Sequence, residues 1–440
     1  MADDTFCIFP WLQLNFSTDG SAQLCCRATR SIGDRKGVPL TLDRVPFTEI
    51  WNSEHMVKAR KAMAEGKRVA DGAPCYLHER TMGTSLRKEV NDAWLWNVAP
   101  PDRAAVIQKR IAESAADRHV MKSPPTKLHL WLGSHCNLQC RMCQATFSTR
   151  IAADPVHRSW SPGSPGAGLP PEQRRFQDGR TWADSPSVVF GELFEDTSQL
   201  TSLSFAGGEP FLQSQIEPLL QLFIDRGRAA QMDLYFSTNG TVYRDSLVEK
   251  LKRFAKVTLA VSLDGAGAVN DYIRFPSRWD AVWTNVLRFR DLGFPLVQVD
   301  PTVQAYNALA ITDLLRLCDS EGLECLLGNV LLFPEHLSIR ALPAACRRLA
   351  RERLEAYLAV CPERHRAAVT NVARSLGGAE DRQQASLLST FMTFTNDLDA
   401  SRKQSLAAAI PELVEAFAAA GFPWKHTRRF VPVAAAQAQA

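Results

Sequence analysis

The sequence predicts an α/β fold. A partial parallel (β/α)6 barrel, TIM-like, spans residues 126–335; a cysteine-rich module (1–95) and a helical linker (96–125) precede it, and a helical region (336–440) follows. Three observations support this. Short apolar runs alternate with amphipathic stretches through the middle of the chain. Of the 11 cysteines, Cys7, Cys25, Cys26 and Cys75 crowd the beginning, and Cys136, Cys140 and Cys143 form a tight group further on. The last hundred residues are rich in Ala, Leu, Arg and Glu and follow a helical pattern.

The elements follow in order. "WLQLNFSTDGSAQLCC" alternates apolar and polar positions around Asp19-Gly20, which predicts a hairpin, and "FTEIWNSEHMVKARKAMAEG" predicts helix. The linker ends at Ser123-Pro124-Pro125. Six strands are then predicted: "KLHLWLG", "LTSLSFA", "QMDLYFS", "VTLAVSL", "LVQVDPTV" and "CLLGNVLL", with helical patterns between most of them. That alternation calls for parallel strands joined by right-handed crossovers, with a ligand site at their carboxyl ends. One insertion, 154–187, is rich in Pro, Gly, Ser, Arg and Trp and is expected to be a lid, a substrate loop or a flexible spacer. The tail "VPVAAAQAQA" is expected to be disordered.

Composition narrows the function classes. A net charge of +4, with no long run of like charges, gives little reason to expect nucleic acid or an anionic membrane as partner. The start lacks the pattern of a signal peptide, and no apolar run approaches the roughly 18 residues that span a bilayer, so the cytoplasm is the expected location. In a reducing compartment, clustered cysteines point to metal or redox work rather than disulfides. Cys318, Cys325, Cys346 and Cys361 are scattered and are expected to be buried small apolar residues.

The three thiols of "HCNLQCRMC", spaced C-x3-C-x2-C, have two readings. Zinc wants four closed ligands, and His135 is poorly placed beside Cys136 to be the fourth. A four-iron four-sulfur cluster can instead be held by three thiolates with one iron open. Position favours the cluster, because the loop follows the first predicted strand, where an α/β barrel keeps its chemistry.

At this point the sequence resembles the radical S-adenosylmethionine (SAM) superfamily, whose signature is such a loop after the first barrel strand. The family's usual aromatic before the last cysteine is here Met142. "FAGGEP" follows the second strand, and by resemblance Gly207, Gly208 and Glu209 meet the amino group of SAM. Ser237 and Asn239 end the next strand and are expected at the cofactor; Ser262 is expected at its ribose and Arg274 at its carboxylate. The resemblance implies that Cys136, Cys140 and Cys143 hold the cluster that cleaves SAM to a 5′-deoxyadenosyl radical. It also implies an electron donor such as flavodoxin or ferredoxin.

Residues 5–95 resemble twitch or SPASM modules, which carry an auxiliary iron–sulfur cluster. "EIWNS" at 49–53, Gly20, Cys7, Cys25, Cys26, Cys75, Glu79, Gly83, Ser85 and Arg87 match; Gly72 stands where the family has a cysteine. The resemblance implies a second cluster on Cys7, Cys25 and Cys75, with Cys26 or His78 as fourth ligand, or with an open iron; the alternative is a module that has lost its cluster and only packs against the barrel.

The activity expected is hydrogen abstraction from a peptide or amino-acid residue, leading to oxidation, crosslinking or epimerisation. The alternatives are dehydrogenation or rearrangement of a small metabolite such as a sugar and, from another class, a non-catalytic zinc protein.

Overall fold

The computed structural model describes residues 5–42, 44–94, 101–160, 182–184, 198–377 and 382–430. They gather into two compact units. One takes the described residues within Met1–His135, Asp178–Ser237 and Arg244–Thr258; the other takes those within Cys136–Gln177, Thr238–Tyr243 and Leu259–Ala440.

In the first unit the expected hairpin forms from β1 (Gln13–Phe16) and β2 (Ala22–Gln23), antiparallel with Asn15 opposite Gln23. Its turn needs a left-handed residue, which Gly20 supplies at φ +79°. The strand β1 does more than close a hairpin. It also lies parallel to β3 (Lys127–Leu130), pairing Gln13 with Lys127, so ladders flank it on both sides and all four of its residues are buried. Parallel pairing demands a long crossover, and the helices Glu54–Ala64, Ala73–Met82 and Pro101–Ala116 lie within it.

Next come β4 (Ser202–Phe205), parallel to β3, and β5 (Asp233–Thr238), parallel to β4. The alternating burial along β5 puts Leu234 and Phe236 inward, where Phe236 stacks on Phe205 at 4.8 Å. The helix Ile216–Asp225 buries Ile216, Leu219, Leu220 and Phe223, the i, i+3, i+4, i+7 stripe that a sheet-covering helix requires.

The three remaining predicted strands appear as five, because "LVQVDPTV" and "CLLGNVLL" are each broken into two. They are β6 (Lys256–Val261), β7 (Pro295–Val299), β8 (Thr302–Val303), β9 (Glu324–Cys325) and β10 (Asn329–Val330). β7 pairs parallel with β9, and β8 with β10. In the second unit the helix Ile311–Ser320 repeats the same stripe with Ile311, Leu314, Leu315 and Cys318. The carboxyl region is helical as expected, with Ala344–Leu358, Glu363–Leu376, Gln384–Arg402 and Pro411–Ala419. Cys318, Cys325, Cys346 and Cys361 are all buried. The fold is therefore α/β with mostly parallel pairing.

Of the expected insertion, the helix Pro155–Trp160 and the turn Trp182–Asp184 are described; residues 161–181 and 185–187 lie outside the described residues, as does the tail 431–440. Among the described residues no helix is long and apolar enough to cross a membrane.

Candidate active site

Immediately after β3 the chain enters the loop that carries the three thiols. Cys136, Cys140 and Cys143 are half-buried, and none of them is in a disulfide. Backbone hydrogen bonds shape the loop: Leu138 N–H points at Cys136 Sγ (3.5 Å) and Cys143 N–H donates to the Cys140 carbonyl (3.1 Å). Two more tie it to the segment that bears Arg274, from Gln139 to the Phe275 carbonyl (2.5 Å) and from Arg141 to the Ile273 carbonyl (2.9 Å). The thiols feel one another. Burial pushes the Cys143 thiol up, and Cys140 and Cys136 add to the rise. Burial also raises Cys140, against the pull of the Arg274 guanidinium.

Arg274 is close enough to act electrostatically on Cys140 and Cys143, and it is buried. Its Nε faces Asp264 Oδ2 at 2.8 Å, and Asp264 also accepts the Thr302 N–H (2.8 Å). Asn239 Nδ2 donates to Asn137 Oδ1 (2.9 Å) and lies 3.9 Å from Cys136 Sγ; Asn137 in turn donates to Thr241 Oγ1 (2.8 Å). Hydrogen-bond donors beside a cysteine sulfur tune the group that it holds. Met142 is half-buried in the loop. Ser262 is half-buried too, its N–H donating to the Thr238 carbonyl (2.8 Å).

In the first unit Gly207 and Gly208 have φ of +73° and +44°, and both are needed for close approach. A Cβ on Gly207 would come within 2.9 Å of Trp131 Cβ, and one on Gly208 would overlap the His135 carbonyl oxygen. Glu209 N–H donates to that same oxygen (2.8 Å), as does Gln213 Nε2 (2.8 Å). The Glu209 carboxylate is fully buried and accepts the Phe211 N–H at 3.1 Å. Ser237, near the end of β5, is half-buried.

Sequence reasoning missed Arg141, which stands between Cys140 and Met142. Its side chain is fully buried, with the guanidinium 3.6 Å above the Tyr272 ring. Nε donates to the Tyr272 carbonyl (2.9 Å); Nη2 donates to Asp399 Oδ1 (2.6 Å) and Gln404 Oε1 (3.0 Å). Asp399 also accepts from Tyr272 Oη (2.7 Å) and from the Leu406 N–H (2.8 Å). The carboxyl helices therefore hold the thiol loop in place. A second tie runs nearby, from Arg402 to Asp154 (3.0 Å). A charged residue inside a cysteine motif was the available signal, but its partner is 258 positions away.

The cysteine-rich module also brings its thiols together. Cys7, Cys25 and Cys75 are buried and line one small cavity with Asp71, Gly72 and Tyr76; Cys26 is half-buried. Burial pushes the Cys7 thiol up to about 12, with Cys75 adding to the rise and Arg87 opposing it. Cys25 is raised by burial, then by Cys26 and Cys7. The motif residues Glu79, Ser85 and Arg87 prove to be one network. Arg87 grips Glu79 with two hydrogen bonds (2.9 and 2.8 Å), Ser85 donates to Glu79 (2.5 Å), and Arg87 Nη1 reaches the Phe6 carbonyl (2.7 Å), beside Cys7. Asn91 donates to that carbonyl (2.8 Å) and accepts the Ile8 N–H (3.0 Å). Where the resemblance calls for a further cysteine, a Cβ on Gly72 would lie 2.8 Å from the Tyr76 ring, which fills that space.

Among the described residues no three His, Cys, Asp or Glu side chains converge closely enough for a single metal ion. Tetrahedral zinc thiolates need sulfurs roughly 3.8 Å apart. A cubane cluster spreads its thiolates over separate irons, which suits mutually coupled but unconverged thiols.

Residues 132–306 match the family described as the Radical SAM superfamily. Pre-heme d1 synthase of Dinoroseobacter shibae is 26% identical over 207 residues, covering 47% of this chain and 43% of that protein. AdoMet-dependent heme synthase of Methanosarcina barkeri is 24% identical over 204 residues, covering 46% and 49%. The chain thus spans less than half the length of these curated relatives. Among solved structures, Streptococcus suis SuiB bound to S-adenosylmethionine is similar at 14% identity and TM-score 0.35, covering 69% of this chain and 63% of that one. Native anSMEcpe with bound AdoMet gives 17% and 0.34, covering 54% and 62%. Residues 132–306, about two fifths of the chain, are therefore similar to a radical SAM domain.

Proposed function

We propose that Cys136, Cys140 and Cys143 hold a four-iron four-sulfur cluster with an open iron for SAM, within a partial barrel, and that the enzyme abstracts hydrogen from a peptide or amino-acid residue. The observation that carries the reading is the loop after β3. Three half-buried thiols lie within electrostatic reach of one another and of the Arg274 guanidinium, and Arg141 in the same loop and Arg274 itself are held by buried ion pairs. When bound, the cluster and SAM supply the electron and the carbon radical; the protein supplies placement.

Each residue then has a role. The three cysteines are the ligands. Arg274, oriented by Asp264, presents positive charge for the SAM carboxylate; Glu209 offers negative charge for its amino group; Ser237 and Ser262 offer hydroxyls, and Met142 an apolar cover. Asn239 holds Cys136 through Asn137. Gly207 and Gly208 let the second strand-end turn close against residues 131–135. In the cysteine-rich module Cys7, Cys25 and Cys75 would hold a twitch-like auxiliary cluster, which would supply a site for electron transfer there, and the reductant would be a flavodoxin or ferredoxin.

The peptide reading rests on the resemblance of residues 5–95 to modules common in peptide-modifying enzymes. A second reading, modification of a heme-type tetrapyrrole, is favoured by the names of the two curated relatives. Anaerobic protein with reconstituted clusters is assayed for 5′-deoxyadenosine under dithionite, beside a Cys136, Cys140, Cys143→Ala triple variant. Nucleoside formation lost only in the variant is expected; equal formation in both refutes the site. Deuterium appearing in 5′-deoxyadenosine from a labelled peptide library, and not from porphyrins, supports the peptide substrate; the reverse supports the tetrapyrrole.

A further inference from the structure

We infer that Asp71 is the fourth ligand of the auxiliary cluster, a carboxylate taking the place of the cysteine absent at Gly72. The inference rests on the reading of Cys7, Cys25 and Cys75 as cluster ligands and names what completes the set.

Four observations converge on Asp71. It lines the same cavity as the three thiols, together with Gly72, whereas neither Cys26 nor His78 does. Its side chain is 6% exposed, so a bare carboxylate there is unfavourable without a cation or a full set of donors. One oxygen is provided for: Oδ2 faces His55 Nε2 at 3.2 Å. The other, Oδ1, is buried and has no hydrogen-bond partner among the described residues.

That division resembles a metal-binding carboxylate, one oxygen oriented by a neighbouring side chain and the other left for the ion. Asp71 also precedes the vacated position by one residue. It sits in the 3-10 turn Ala70–Gly72 that leads directly into the helix bearing Cys75. At position 72 itself a Cβ would lie 2.8 Å from the Tyr76 ring, so a cysteine there would require that ring to shift. The ligand has moved one residue upstream and changed from thiolate to carboxylate. Oxygen is a harder donor than sulfur, so the iron that it holds is the exchangeable corner of the cluster.

The test uses the full chain in the Cys136, Cys140, Cys143→Ala background, where only the auxiliary site can load. Iron and sulfide are counted after anaerobic reconstitution, electron paramagnetic resonance (EPR) spectra are taken in reduced and mildly oxidised states, and circular dichroism checks folding. The background is expected to hold about four irons per chain. Asp71→Ala and the isosteric Asp71→Asn should fall to about three, with the EPR signal of a three-iron cluster on oxidation. Asp71→Cys should restore the fourth iron with a changed spectrum in the reduced state, and Cys26→Ala should match the background. If both Asp71→Ala and Asp71→Asn keep four irons and the background spectrum, Asp71 is not a ligand, although the cluster stands. If Cys26→Ala alone loses an iron, the fourth ligand is Cys26. A folded background protein without iron removes the auxiliary cluster and this inference together.

Discussion

Replacing Arg141 with methionine keeps an apolar stem and removes the guanidinium. Three hydrogen bonds go with it, one of them to the Asp399 carboxylate at 2.6 Å, along with the stacking on Tyr272 at 3.6 Å. Hydrogen bonds to charged groups contribute about 1.5–3 kcal/mol each, and breaking a buried ion pair from one side costs about 3–5 kcal/mol. Two features hold the loss to the lower end. Asp399 keeps Tyr272 Oη and the Leu406 N–H, so it is not stripped bare. Arg141 Nη1 has no partner among the described residues, so the native pair already carries a penalty that the variant relieves. The expected loss is about 3 kcal/mol, equivalent to a fall in Tm of roughly 6–12 °C for a unit of about 150–250 residues. Denaturant unfolding of anaerobic protein measures it. Asp399→Asn and the double variant complete a cycle whose coupling should exceed about 1 kcal/mol. Because the thiol loop loses its brace, 5′-deoxyadenosine formation should fall by more than the lost folded fraction explains. A change under about 0.5 kcal/mol with unaltered nucleoside formation would show that the carboxyl helices do not hold the loop.

Other consequences can be measured on the same protein. Burial holds His129 down to about 4, and its Nε2 accepts the Trp131 indole N–H, so the folded state needs the neutral ring. A base held low favours unfolding once the unfolded chain begins to bind the proton, so stability should decline as pH falls from about 6.5 towards 4. His129→Gln should flatten that decline, and an identical slope in both proteins counts against it. Asp154 shows the opposite arrangement: burial raises its pKa, but His157 and Arg402 outweigh burial and hold it low. Its contribution is present above the ordinary carboxylate pKa and is lost as pH falls through the lower folded value. Arg402→Met should therefore shift acid unfolding to higher pH, while an unmoved acid midpoint would refute the pairing. Gly208→Ala adds a left-handed strain of about 1–2 kcal/mol to an overlap with the His135 carbonyl, so a variant that melts like the parent contradicts the close approach.

What the sequence revealed was local, and what it hid was non-local. The strands from β3 onwards, the hairpin turn at Gly20 and the thiol loop are written in short patterns, because a turn needs a left-handed residue nearby and a chelating loop needs close spacing. The parallel pairing of β1 with β3 is not legible, since nothing in "QLNF" names a partner beyond a long crossover. For Gly207 and Gly208 the cofactor resemblance suggested a reason, and the structure adds a packing reason that stands without any ligand. Glu79, Ser85 and Arg87 were recognised only as matching positions; their common purpose, fixing the backbone beside Cys7, needed coordinates. Asp71 was invisible because an acidic residue in a turn is ordinarily solvated, and only its burial makes it unusual.

Both thiol groups share one device: a buried arginine that spends separate donors on a carboxylate and on a backbone carbonyl. Arg87 links Glu79 to the Phe6 carbonyl, and Arg141 links Asp399 to the Tyr272 carbonyl, two residues before Arg274. Charge alone does not explain this choice. Lysine would pair with either carboxylate, but as a point charge it cannot hold both oxygens of Glu79 and reach a second acceptor in a fixed plane. The Arg87→Lys variant separates the two contributions. If the planar fork matters, the variant keeps much of the stability that Arg87→Met loses, because the buried charge stays paired, yet the Phe6–Ile8 segment is released and Cys7 loses its register. Iron bound by the cysteine-rich module, counted in the Cys136, Cys140, Cys143→Ala background, should then fall in Arg87→Lys nearly as far as in Arg87→Met, while their unfolding midpoints differ. If iron content instead tracks stability across the two variants, the arginine acts through folding alone and the tie to the Phe6 carbonyl is incidental.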